Sequence, residues 1–156
     1  MQLYRLTRSA NAASAFDGRR AAECPGRWNV AGKPAVYTAA SLALALVELV
    51  SQGAPLWQPL FVYPLELDDA PLEHLQLEAL PANWPSLAGR DRCRELAEAW
   101  RTRGSSVGIV VPSAVVPDAY ARGEVDVVLN PRHPAFGGVR IGEPSRLRLG
   151  TQKGAL

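Results

Sequence analysis

Proline and glycine constrain the fold of this chain more than any other feature. Thirteen of each fall along 156 residues, so no apolar segment runs far before meeting a residue that ends a helix or breaks a strand ladder. What remains between them are short elements. Residues 3–6 read as an opening strand, and residues 9–34 as a long polar, glycine-containing stretch with little periodicity, a kind of loop that often carries function. Residues 35–38 read as a strand leading into a helix over 42–52, with Ser41 as its N-cap and Gly53 and Pro55 at its end. Residues 60–67 read as a strand in which Pro64 predicts an edge or a bulge. Residues 71–89, rich in Pro, Leu and Trp, predict an irregular cover over the core.

A second helix spans about 91–103. Cys93, Leu96, Ala97 and Trp100 fall on one apolar face, and Arg92, Arg94, Glu95, Glu98 and Arg101 occupy the rest. Strands over 107–111 and 125–129, a turn over 130–134 and a final strand near 145–149 complete the chain. Helices are few, strands are many and short, and there is no regular βα alternation. The expected class is therefore α+β with mixed short-stranded sheets, not a doubly wound parallel sheet. No repeat or linker divides residues 1–156, which read as a single domain.

Charge and cysteine usage exclude several classes. The net charge of +2 and the absence of a basic patch with interleaved aromatics argue against direct nucleic-acid binding. Of the 17 basic residues only Lys33 and Lys153 are lysine. Arginine grips phosphate in a planar fork, but the bias equally fits a compositional origin in a chain rich in Ala and Leu. Cys24 and Cys93 give neither metal spacing nor a disulfide framework, so no metal site is expected; Cys93 reads as a packed thiol and Cys24 as a loop residue. The start of the chain lacks a signal-peptide apolar region and no apolar run approaches ~20 residues, so the expectation is a cytoplasmic protein without a membrane span.

Residues 41–50 read Ser-Leu-Ala-Leu-Ala-Leu-Val-Glu-Leu-Val, and Glu48 is the only ionisable group among them. A carboxylate in such a run either loses its charge by desolvation or needs a cation and hydrogen-bond donors beside it. Arg5 and Arg27 lie upstream as candidate partners.

Tyr4-Arg5, Gly26-Arg27-Trp28-Asn29 with Gly32, Tyr37-Thr38, Glu48, Val111-Pro112-Ser113, and Asn130-Pro131 with His133-Pro134 occur in one order and spacing that resembles the RES-domain family, the toxins of Xre–RES toxin–antitoxin pairs. The resemblance covers residues 3 to about 149. It implies an ADP-ribosyltransferase-like fold and an enzyme that consumes NAD as substrate, with no permanent cofactor. The implied reaction is glycohydrolase or phosphorylase cleavage of the nicotinamide–ribose bond, or alternatively transfer of ADP-ribose to a host metabolic protein. It also implies a cognate Xre-type helix-turn-helix antitoxin as partner. Carried over, Arg5, Arg27, Tyr37, Glu48 and Ser113 form the site, with Trp28, Asn29 and Asn130 as further NAD contacts.

These residue types suit that chemistry. Cleavage passes through an oxocarbenium-like centre, as glycoside cleavage does. Nicotinamide leaves without needing a proton, so one carboxylate, Glu48, suffices to bind ribose hydroxyls and stabilise the developing positive charge. Arg5 and Arg27 suit the two phosphates, Tyr37 can stack on a ring or hydrogen-bond the ribose, and Ser113 can support Glu48 or a substrate hydroxyl.

Apart from the resemblance, blander readings stand beside these. Glu48 fits a structural ion pair as well. Tyr37 and Trp28 read as core aromatics, Arg5 as a solvated strand residue and Ser113 as a turn residue. Asn130 and His133 read as shaping the turn after a strand. An RNA-cleaving toxin is a different functional class, disfavoured by the charge and by the lack of a His pair suited to phosphodiester cleavage. A non-catalytic nucleotide-binding module would keep the arginines and not need Glu48.

Overall fold

The computed structural model describes residues 1–150. Eight strands, β1 (Gln2–Thr7), β2 (Val36–Ala39), β3 (Phe61–Glu66), β4 (Leu72–His74), β5 (Gly108–Val111), β6 (Asp126–Leu129), β7 (Arg140–Ile141) and β8 (Ser145–Arg146), form one sheet. Its order is β4-β5-β6-β2-β1-β3-β7, with β8 also on β3. Only β4–β5 is parallel; the other pairs are antiparallel. The helices are α1 (Ala12–Ala15), α2 (Arg19–Glu23), α3 (Leu42–Ser51) and α4 (Arg90–Arg103). The expected α+β class holds.

Side chains alternate across each strand, so the sheet has two distinct cores. On one face Leu3, Val36, Tyr63, Leu65, Val127 and Leu129 pack with Phe16, which follows α1. On the other, Ile109, Val111 and Val128 meet Cys93, Ala97 and Trp100 of α4. That second cluster is the apolar face expected of the helix, and it buries the Cys93 thiol. β5 and β6 are buried at every position, so they read as unbroken apolar runs, with Asp126 the exception.

Local chemistry explains the helix ends. Ser41 caps α3: its Oγ accepts from the Leu44 N–H at 3.1 Å and donates to Glu124 Oε2 at 2.6 Å. Gly104 ends α4 at φ +62°, a conformation that favours glycine.

Three expectations change. β3 is an interior strand, not an edge. The Pro64 carbonyl accepts from Gly142 N at 2.8 Å on the side away from β1, so the missing Pro64 N–H faces that side too. Two short strands flank the proline there: β8 pairs with Phe61 and Val62, and β7 with Leu65 and Glu66. The 9–34 stretch holds two short helices, and 71–89 contributes β4; neither has the length for periodicity to reveal. The last strand covers only Ser145–Arg146.

Candidate active site

One row of paired residues crosses four strands: Tyr4 on β1, Ala39 on β2, Asp126 on β6 and Val111 on β5. Directly opposed residues of antiparallel strands share a face. Ala39 is small, and α3 seats Leu44 and Ala45 against it, with Leu6 beside them. Glu48 stands one turn after Leu44 on the same helical stripe, which carries its carboxyl towards the end of β5.

Ser113, two residues beyond Val111, donates its hydroxyl to Glu48 Oε1. The Ser113 oxygen itself accepts from the N–H groups of Val115 and Val116, each at 3.1 Å. With both acceptor positions occupied, its one hydrogen can only point at the glutamate. Asp126 is 8% exposed and near enough to Glu48 for the glutamate to act on its carboxyl. Its carboxyl is pushed up to about 8, first by burial and then by the neighbouring Glu48 carboxyl. At neutral pH Asp126 therefore keeps its proton. Neither is ion-paired with an arginine among the described residues, so the cation expected beside Glu48 is replaced by a hydroxyl and a second carboxyl.

Tyr37 points to the same face as Asp126, two residues along β2. Its hydroxyl donates to Asn29 Oδ1 at 2.8 Å and accepts from Trp28 N at 3.1 Å. Burial is the main cause that raises its phenol above the usual range. Arg5 leaves β1 on the opposite face. The β1–β2 ladder has a single registered pair, Tyr4 with Ala39. Beyond it, Arg5 Nη1 donates to the Tyr37 carbonyl at 2.9 Å, while Nε donates to the Ala15 carbonyl at 2.6 Å. The guanidinium stacks over Phe16 at 5.6 Å. Burial lowers it to about 10, partly offset by Asp17, so it remains charged at neutral pH. Its Nη2 is committed to no hydrogen bond among the described residues.

The remaining candidates are placed differently from what their residue types suggest. Arg27 donates from Nη1 to the carbonyls of Trp84 at 2.5 Å and Ser86 at 3.0 Å, and from Nη2 to that of Pro85 at 2.9 Å. It clamps the 84–86 segment. Trp28 is core, 3% exposed and packed with Trp84. Asn29 is fully buried. Its Nδ2 donates to the carbonyls of Ala21, Val30 and Lys33, and its Oδ1 accepts from Gly26 N and the Tyr37 hydroxyl, which makes it the internal hub of the 9–34 segment. Asn130 Oδ1 accepts from Arg101 Nη1 at 3.0 Å and Arg132 N at 3.1 Å. His133 Nδ1 accepts from Ala135 N, so its Nε2 carries the hydrogen donated to the Gly104 carbonyl. Both hold the turn after β6.

The structure thus brings Glu48 and Ser113 together, links Arg5 to Tyr37 through the backbone, and keeps Arg27, Trp28, Asn29 and Asn130 in supporting contacts. Asp126 escaped sequence reasoning, although the logic applied to Glu48 would have found it: it is the one ionisable residue in 125–129. Among the described residues no group of three or more His, Cys, Asp or Glu is placed to hold a metal ion, and no helix is long and apolar enough to cross a membrane.

The family model described as the RES domain matches residues 2–150. "Toxin Res" of Photorhabdus laumondii is 37% identical over 138 residues, covering 87% of this chain and 85% of the relative. "Toxin Res" of Yersinia enterocolitica is 33% identical over 138 residues, covering 87% and 88%. A "Prs ADP-ribosylating toxin" of Sphingobium is 30% identical over 122 residues, covering 74% and 71%. The mixed sheet with few helices is ADP-ribosyltransferase-like, in keeping with that third relative.

Proposed function

The chain belongs to the RES domain family, and on that premise we propose that it is an NAD-consuming toxin that cleaves the bond between nicotinamide and ribose. The observation that carries this reading is the Glu48 carboxyl, oriented by a serine whose hydrogen has no other direction to take. In the reaction the C–N bond breaks and its electron pair returns to the pyridinium ring, which leaves as neutral nicotinamide. Glu48 faces the positive charge that grows on the ribose carbon, an interaction stronger in the transition state than in bound NAD. Water or phosphate then takes the ADP-ribosyl group.

Arg5 is the phosphate ligand in this reading, since Nη2 stays uncommitted while the rest of its guanidinium is anchored. Tyr37 supplies a ring edge and a fixed hydroxyl beside the ribose. Arg27 reaches a phosphate only if the 84–86 segment gives up its three carbonyl contacts. A second reading, transfer of ADP-ribose to a protein, is favoured by the Sphingobium relative, whose name is that of an ADP-ribosylating toxin. A cognate antitoxin, of the Xre helix-turn-helix type, would neutralise the activity in either case.

The test is incubation of purified protein with NAD, with and without phosphate and with a bacterial lysate, while following free nicotinamide and the fate of labelled ADP-ribose. Nicotinamide released by the wild type and not by Glu48→Gln supports the reading. NAD left intact under all three conditions would sink it.

A further inference from the structure

We propose that residues 81–88 form a strap that competes with the NAD diphosphate for Arg27: its carbonyls hold the guanidinium in the free protein, and substrate binding releases them. This deepens the NAD-cleaving reading of the site and rests on it.

The strap is held together by its own short-range bonds. Trp84 N donates to the Pro81 carbonyl at 2.9 Å, Ser86 N and Oγ to that of Asn83 at 3.0 and 2.7 Å, and Arg90 N to that of Leu87 at 3.2 Å, which makes a run of tight turns. Ala82, Asn83, Ser86, Leu87 and Ala88 are exposed. Apart from the Cys93 thiol, 3.9 Å from the Trp84 carbonyl, every hydrogen bond that joins residues 81–88 to the rest of the described fold comes from Arg27. Those bonds reach three consecutive carbonyls, of Trp84, Pro85 and Ser86, and the one to Ser86 is open to solvent. The Trp84 ring, 6.1 Å from that of Trp28, is the apolar anchor.

Arg27, in contrast, has a pinned backbone. Gly26 lies so close to Tyr37 that a Cβ there would come within 2.6 Å of its hydroxyl, and Trp28 N donates to the same hydroxyl at 3.1 Å. Arg94 holds the carbonyls of Gly26 and Pro25 at 3.0 and 3.1 Å. Arg5 Nη1 meets the Tyr37 carbonyl, so one residue links the two arginines. Any exchange of partners at Arg27 is therefore made by the strap giving way. A neutral carbonyl is the weaker partner for a guanidinium. A phosphate oxygen brings its own charge, which roughly doubles the strength of the bond, and matches the planar fork. A ligand shifts a two-state element only by binding one state better than the other. Here the diphosphate gains Arg27 only when the strap is released, and a closed strap lowers the apparent affinity for NAD.

Hydrogen exchange of the wild-type protein tests this, with pyrophosphate and ADP-ribose as probes, sodium chloride at matched ionic strength as control, and calorimetry to follow binding. In the bound protein the amides of residues 82–90 should exchange about tenfold faster or more, the effect of losing one charge-assisted hydrogen bond. In Arg27→Lys the same amides should be fast already and indifferent to the probes. A bound probe that leaves exchange at 82–90 unchanged or slows it would overturn the proposal, as would failure of both probes to bind. Pro85→Gly loosens the strap while leaving Arg27 and the Trp84 anchor in place. It should speed exchange at 82–90 and lower the KM for NAD severalfold with kcat retained. Faster exchange with an unchanged or raised KM would mean that the strap does not compete with substrate. If pyrophosphate frees the strap but the wild type releases no nicotinamide from NAD, the exchange of partners stands and the NAD-cleaving reading falls.

Discussion

Glu48 and Ser113 act as a unit because of where one hydroxyl hydrogen is forced to point. Replacing Glu48 with Gln removes the charge and keeps the shape. An electrostatic group aimed at a developing charge is worth about 100- to 1,000-fold in rate when removed. We expect kcat to fall by that order while NAD affinity, measured by calorimetry, stays near the wild-type value; equal losses in kcat and affinity would mean that Glu48 merely binds. Ser113→Ala has a double consequence. Glu48 loses a donor, and the N–H groups of Val115 and Val116 lose their acceptor. Losing a hydrogen bond costs about 0.5–1.5 kcal/mol, so Ser113→Ala should lower both kcat and the melting temperature, whereas Glu48→Gln should lower kcat alone.

At the scale of elements, arginines do the joining. The 9–34 segment has too little apolar periodicity to hold itself in place, and its carbonyls are gathered instead by α4. Arg94 holds Pro25 and Gly26, and Arg101 holds Pro34. Arg27 reaches the opposite way to clamp 84–86. Both α4 arginines read in the sequence as part of a solvated helix face, because periodicity marks the polar side of a helix and not what lies across from it. Arg27→Lys keeps the charge and loses the fork that spans three carbonyls. We expect a loss on the order of 2 kcal/mol, since hydrogen bonds to charged groups are each worth about 1.5–3, with faster proteolysis near residues 84–86. A raised KM for NAD with an unaltered melting temperature would instead place Arg27 on the phosphate. Gly26 has a related role: a Cβ there would come within 2.6 Å of the Tyr37 hydroxyl, so Gly26→Ala should displace the Tyr37 ring.

For the whole molecule, Asp126 sets a pH dependence of stability. Asp126 sits at about 8 in the folded protein against an ordinary 3.8. Between those values the folded state binds a proton that the unfolded state has released, so stability decreases as pH rises. The contribution is fully present below pH 4 or so and is lost as pH passes through about 8. With at most one proton involved, the slope is no steeper than about 1.4 kcal/mol per pH unit. Asp126→Asn has no such group. The difference in stability between variant and wild type, measured by urea denaturation from pH 4 to 9, should therefore move steadily in favour of the variant across that window. A flat difference would mean that Asp126 is ionised in the folded state.

The sequence alone determined much of the frame. Pro and Gly spacing limited the chain to short elements, Ser41 and Gly53 bounded α3, the spacing of Cys93, Ala97 and Trp100 set the buried face of α4, and one carboxylate in an apolar run marked Glu48. These are local properties, decided by backbone sterics and by side chains within a turn or two of each other. Tertiary structure alone decided the company Glu48 keeps. Asp126 comes beside it through the register of four strands and the seat of α3 on Ala39, and Arg27 finds carbonyls where the sequence suggested phosphate. A residue's type states what hydrogen bonds it is able to make; which partner it meets depends on strand pairing and chain packing, and those bring together groups far apart along the chain.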